Sequence, residues 1–176
     1  MTHHAITRPR RGLGLLEVLL GLFIAGLVVA AAVPLYDESA VRRGSNEMVL
    51  EMSLIQASLS RIYHDRTTYD GVNTQVLARS KLLPAKWSHD GATITNPFHG
   101  SVVVYPGSSD DGAKYYAVFN NIPVKACRYL SALDLGPNIL RVEVDGSYIT
   151  PDMTPGQKMS LCTDGMTNHF ISWTVF

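Results

Sequence analysis

Hydrophobic residues fall into two successive patterns in the first third of the chain. Residues 13–36 read LGLLEVLLGLFIAGLVVAAAVPLY, 24 residues with Glu17 as their one side chain charged at neutral pH, long enough to cross a bilayer as a helix. The solid run then gives way to a stripe: Val41, Met48, Met52, Ile55, Leu59 and Ile62 recur at spacings of seven, four, three, four and three. That is the period of an amphipathic helix, with Arg42, Arg43, Glu47, Glu51 and Arg61 assigned to the polar positions between. The pattern predicts one helix over residues 13–64, with Gly44, Ser45 and Asn46 as the place where it would break. A helix that is apolar on one face needs a partner to cover it, so the remainder of the chain is expected to pack on the stripe as a head. The Met and Leu residues of the stripe are core positions in that reading, not a cofactor box.

Downstream, Asp70 and Gly71 mark a turn, residues 74–81 read as a short helix and Pro84 ends it. The texture then becomes strand-like, with runs at 101–105, 114–120, 139–144 and 147–150. Asp145 and Gly146 lie between the last two, which predicts a hairpin. Residues 123–133 look helical, and 169–176 are rich in β-branched and aromatic residues. The fold class expected is α+β: a long N-terminal helix, transmembrane in its first half and amphipathic in its second, packed against an antiparallel β-sheet head. The divisions are residues 1–12, 13–36, 37–65 and 66–176.

Charge adds little in total, because 15 basic and 15 acidic residues cancel, and no nucleic acid partner is called for. Its distribution is informative. Arg8, Arg10 and Arg11 precede the apolar run with no acid among them, whereas residues 18–36 carry no charge. The two cysteines, Cys127 and Cys162, form a single pair in a membrane-targeted chain, which fits a disulfide made in an oxidising compartment. Two free buried thiols or half of a metal site are the alternatives, and neither cysteine has a Cys or His two to four positions away. A disulfide would tie the helix at 123–133 to the last strand.

An ordinary secretory signal would place its cleavage site beyond the apolar stretch, where Ala30, Ala31 and Ala32 could serve. Glu17 argues for something else. A carboxylate at the centre of a membrane helix costs about 2.5 to 3.5 kcal/mol and less near the interface, and such a residue usually has a functional partner. The other reading is a carboxylate snorkelling from a helix end.

The segment Arg10, Arg11, Gly12, Leu13, Gly14, Leu15, Leu16, Glu17 resembles the processing site of the type IV pilin family. The resemblance implies cleavage by a prepilin peptidase after Gly12, with methylation of the new N-terminus at Leu13. Residues 1–12 are then a leader whose loss leaves three more acids than bases. Glu17 becomes the fifth mature residue, where the family keeps a glutamate, and Pro34 the twenty-second, where it commonly has a proline. Glu17 would pair with the Leu13 amine of a neighbouring subunit and set axial register, since leaving either partner of a buried pair alone is strongly unfavourable. Pro34 would kink the helix, and Gly21 and Gly26 would let helices approach closely or simply be tolerated in lipid. Many members begin with phenylalanine where this chain has Leu13, a variation that the type IVb branch tolerates. In the head, Asn96, Pro97, Phe98, His99 and Gly100 before a strand, Cys127 three residues before Leu130, and a closing strand with Ile171, Ser172 and Trp173 look like the type IVb pilins of conjugative and enteric thin pili.

The function so implied is that of a structural subunit, a homo-oligomer in a helical filament used for adhesion, aggregation, motility or mating contact. Its partners would be the prepilin peptidase, the inner-membrane assembly machinery, the membrane before assembly, and a host or partner cell surface. The head would be periplasmic before assembly and extracellular after it. A pseudopilin of type II secretion, a minor pilin, and a membrane-anchored periplasmic binding module that never polymerises are the rival readings. No enzyme and no cofactor is expected. His64, His89, His99 and His169 show no metal-ligand spacing, Asp110, Asp111 and Asp164 sit in turn-like stretches, and neither a phosphate-binding loop nor a nucleophile elbow occurs. Trp87, Tyr105, Tyr115, Tyr116 and Trp173 are assigned to the core or to subunit contacts, since basic residues do not gather around them.

Overall fold

A computed structural model describes residues 14–88, 90–107, 113–134 and 136–176. The leader and Leu13 lie outside the described residues, as do His89, Asp110 and Asp111.

Helix α1, Leu15–Ile62, is helical throughout its 48 residues, including Pro34 and the Gly44-Ser45-Asn46 triplet that the sequence marks as a break. The triplet is accommodated because Gly44 and Ser45 face the head, and the ring of Phe98 lies where a side chain at 44 would stand, 2.7 Å from an ideal Cβ. The chain divides into two compact units, residues up to Ser39 and Ala40–Phe176, so that α1 contributes to both.

In the second unit the predicted elements form in order, joined by one short helix at Pro155–Ser160 that the sequence pattern does not predict. They are α2 (Thr74–Arg79), β1 (Val102–Pro106), β2 (Tyr115–Ile122), α3 (Val124–Ala132), β3 (Ile139–Val144), β4 (Ser147–Ile149), α4 (Pro155–Ser160) and β5 (His169–Val175). The strands make one antiparallel sheet in the order β1-β2-β5-β3-β4, with the C-terminal strand at its centre. The 145–146 turn closes the β3–β4 hairpin as expected, with Asp145 and Gly146 both at positive φ.

Alternate residues of the strands turn inward: Val102 and Val104, Tyr115, Ala117 and Phe119, Val144, and Ile171, Trp173 and Val175. They share one hydrophobic core with Met48, Met52, Ile55 and Leu59 of α1. Phe119 meets Trp173 edge-on at 4.8 Å.

The Asn96–Gly100 segment is a clamped turn ahead of β1. The Asn96 side-chain oxygen accepts from the amides of Phe98 and Gly100 at 2.9 and 3.0 Å, while its amide nitrogen donates to the Asn120 carbonyl at 2.7 Å. A Cβ on residue 100 would lie 1.8 Å from that same carbonyl oxygen, so the turn admits only glycine there.

Candidate assembly site

In the first unit the apolar side chains of α1 are uncovered. Leu15, Leu16, Val18, Leu19, Leu20, Leu22, Phe23, Ile24, Leu27, Val28, Val29 and Val33 are all exposed. Over this stretch α1 is long and apolar enough to cross a membrane. Such a surface is stable only in lipid or against other apolar helices. Around Gly21 and Gly26 an added Cβ would meet nothing within 4 Å, which leaves two flat places open to a neighbour.

Glu17 sits in the first turn of α1, exposed, and its carboxylate accepts from the Gly14 amide at 3.3 Å. An acid at this end meets the partial positive charge of the unsatisfied helix amides. Gly12 and Leu13, the expected cleavage and methylation positions, lie outside the described residues, as does the side chain of Pro34.

Within the second unit the cysteines are bonded: Cys127 in α3 joins Cys162 just beyond α4, with Cα atoms 5.9 Å apart and both residues fully buried. The bond therefore fastens α3 to the segment that follows α4 rather than to the final strand. Arg128 reinforces it, donating from Nε to the Cys162 carbonyl at 3.3 Å and pairing with Asp164 at 2.9 Å.

One acid departs from the sequence reading, and a second has a partner that the sequence does not reveal. Glu51, assigned to the polar face, is 0 % exposed, and neither carboxyl oxygen has a hydrogen-bonding partner among the described residues. Burial, and then the negative charge of Glu47, push its pKa up to about 8, while Lys86 pulls the other way. Glu47 itself pairs with Lys86. The arithmetic of the stripe explains the misreading: residue 51 lies three after Met48 and four before Ile55, on the buried row, and Ser58 follows on the same row. Asp145, at the hairpin turn, accepts from the Phe170 amide at 2.9 Å and holds buried His169 through Nδ1 at 2.5 Å, so His169 is a pinned core residue. Among the described residues no group of three or more His, Cys, Asp or Glu side chains is placed to hold a metal.

A long N-terminal helix packed on one face of an antiparallel sheet, with a disulfide-closed loop ahead of the central C-terminal strand, is the type IV pilin fold. The crystal structure of TcpA, a type IV pilin from Vibrio cholerae El Tor biotype, superposes with a TM-score of 0.54 at 14% identity, over 76% of this chain and 99% of that one. Residues 40–173 match the Bundlin family, and the chain belongs to it. The major structural subunit of bundle-forming pilus from Escherichia coli O127:H6 (strain E2348/69 / EPEC) is 26% identical over 127 residues, and the same-named protein of Escherichia coli O111:H- matches equally. The match covers 72% of this chain and 66% of each relative. The family match begins at residue 40, where the second unit begins, and does not reach the apolar half of α1.

Proposed function

We propose that this chain is the major subunit of a bundle-forming type IV pilus, made as a precursor and polymerised through its N-terminal helix. The observation that carries the reading is the match of residues 40–173 to the bundlin family, joined to an apolar helix surface that is exposed among the described residues. Cleavage after Gly12 frees an amine at Leu13. In lipid the subunit waits with its head in the periplasm. In the filament, the helices leave lipid and cover one another, Gly21 and Gly26 allowing close approach and Pro34 bending the helix as it leaves the core.

Transfer from lipid to a helix bundle exchanges one apolar environment for another, so apolar burial alone cannot fix the axial position of a subunit. Glu17 supplies that position: its carboxylate, four residues from the new amine, must find a cation once water is excluded, and the Leu13 ammonium of a neighbour is the one that a staggered array brings within reach. Glu17→Ala is expected to leave the chain cut, stable and membrane-bound while surface filaments fall by roughly tenfold or more, given about 3 to 5 kcal/mol for breaking a buried pair. Electron microscopy and immunoblotting of a sheared surface fraction read it out. Filaments at normal number would remove the register role.

A further inference from the structure

The face of the sheet turned away from α1 is exposed towards its two edges, while Ser172 and Thr174 of the central strand are buried between their larger neighbours. Period-two alternation places Val103 and Tyr105 of β1, Tyr116 and Val118 of β2, Ser172 and Thr174 of β5, Arg141 and Glu143 of β3, and Tyr148 of β4 on it. Val103, Tyr105 and Tyr148 are 41, 42 and 51 % exposed. Tyr105 stacks on Tyr116 with ring centroids 5.0 Å apart, and the Arg141 guanidinium lies over the Tyr148 ring at 4.7 Å. Among these outward positions the charged residues are one cation and one anion, two residues apart on one strand. The solvated face of an antiparallel sheet is ordinarily polar.

From this face we infer a docking surface for a second copy of the same chain, in a neighbouring filament; the inference rests on the pilus reading above. The strand register makes the face complementary to itself. Cross-strand pairing sets the outward side chains in two rows: Tyr105, Tyr116, Thr174 and Arg141 in one, and Val103, Val118, Ser172 and Glu143 in the next. A two-fold axis lying in the interface along the row between them, through Val104, Ala117, Trp173 and Val142, lays each row on the other row of the second copy. Tyr105 then faces Val103, Tyr116 faces Val118, Thr174 faces Ser172, and Arg141 faces Glu143. A self-complementary surface of this kind is what an isologous contact requires. A two-fold axis along the central strand would instead exchange β2 with β3 and set Arg141 against Tyr116, leaving Arg141 and Glu143 without each other.

Size explains why such a contact belongs between filaments. Four inter-strand gaps of about 4.8 Å and five residues at about 3.3 Å cover roughly 300 Å² of sheet, well under the ~800 Å² per partner of a stable complex. One contact is weak. Repeated along two filaments it becomes strong by multivalency.

The test is a charge swap read by bundling. Wild-type filaments should pellet at low centrifugal speed as bundles. Arg141→Glu and Glu143→Arg should each form filaments in normal amount while the low-speed pellet falls by about tenfold or more, since each sets like charges face to face along the whole contact. The double variant R141E/E143R restores the pairing in reverse and should bundle again, which a merely structural role would not do. R141E and E143R filaments mixed together should also bundle. Tyr148→Ser, which changes no charge, should weaken bundling as well. Bundling by R141E equal to wild type, or a double variant that stays dispersed, overturns the surface. A wild-type chain that forms no filaments overturns the pilus reading instead.

Discussion

Glu51→Gln is expected to stabilise the folded chain, and the gain should grow with pH. The folded-state pKa of Glu51 stands at about 8 against an ordinary 4.5, because the carboxylate is buried on the core side of α1 beside Glu47. The proton is therefore held more tightly in the folded state. The sign follows: the stability tied to this proton is fully present below pH 4.5 and is lost as pH rises toward 8. At about 1.4 kcal/mol per pKa unit, the cost to the wild type at pH 7 is on the order of 3 kcal/mol. Glutamine has the same shape and no charge to desolvate, so the two proteins should differ little at pH 4.5 and by most of that amount at pH 7 to 8. Urea unfolding of the full chain in detergent across this pH range measures it. Parallel stability curves for the two proteins would mean that Glu51 is ionised and satisfied in the fold.

Loss of the disulfide is the second large effect. Cys127 and Cys162 are 35 residues apart, and closing a loop of that length is worth about 3 to 4 kcal/mol in the chain-entropy account. Cys127→Ser combined with Cys162→Ser should lower the urea midpoint correspondingly, and the segment around α4 should detach first. α4 buries none of its residues, and its own support is a capping box between Thr154 and Gln157. Without the covalent tie, residues 150–168 keep the packing of α4 on α3 and of Leu161 on the core, and the contacts of Arg128 to Cys162 and Asp164. Limited proteolysis of the double variant should cut first in this segment. A midpoint unchanged from that of the oxidised wild type would show the tie to be dispensable.

What could be read in advance depended on whether a signal was local. The stripe from Met48 to Ile62, the alternation in the strands and the Asp145-Gly146 turn are short-range patterns, and each became the expected element. The cysteine pair was legible because export leaves two cysteines few other uses. α4 was missed although Thr154, Pro155 and Gln157 spell a helix start, since its six residues show no apolar period. Glu51 was misassigned by chemistry overriding position. The link between His169 and Asp145 joins residues 24 apart through sheet order, which no local pattern encodes. At the assembly site, Glu17 and the apolar helix were plain in the sequence. The paired rows of the outer sheet face were not, because they exist only once β5 lies between β2 and β3.

The central claim is that this chain is cut after Gly12 and leaves the membrane as a filament subunit. Intact mass and N-terminal sequencing of the protein in a sheared surface fraction test it most directly. A chain beginning at methylated Leu13, lighter by the two hydrogens of the Cys127–Cys162 bond, is the expected result. A chain that still begins at Met1, one cut after the Ala30–Ala32 cluster, or a protein confined to the membrane fraction would contradict it.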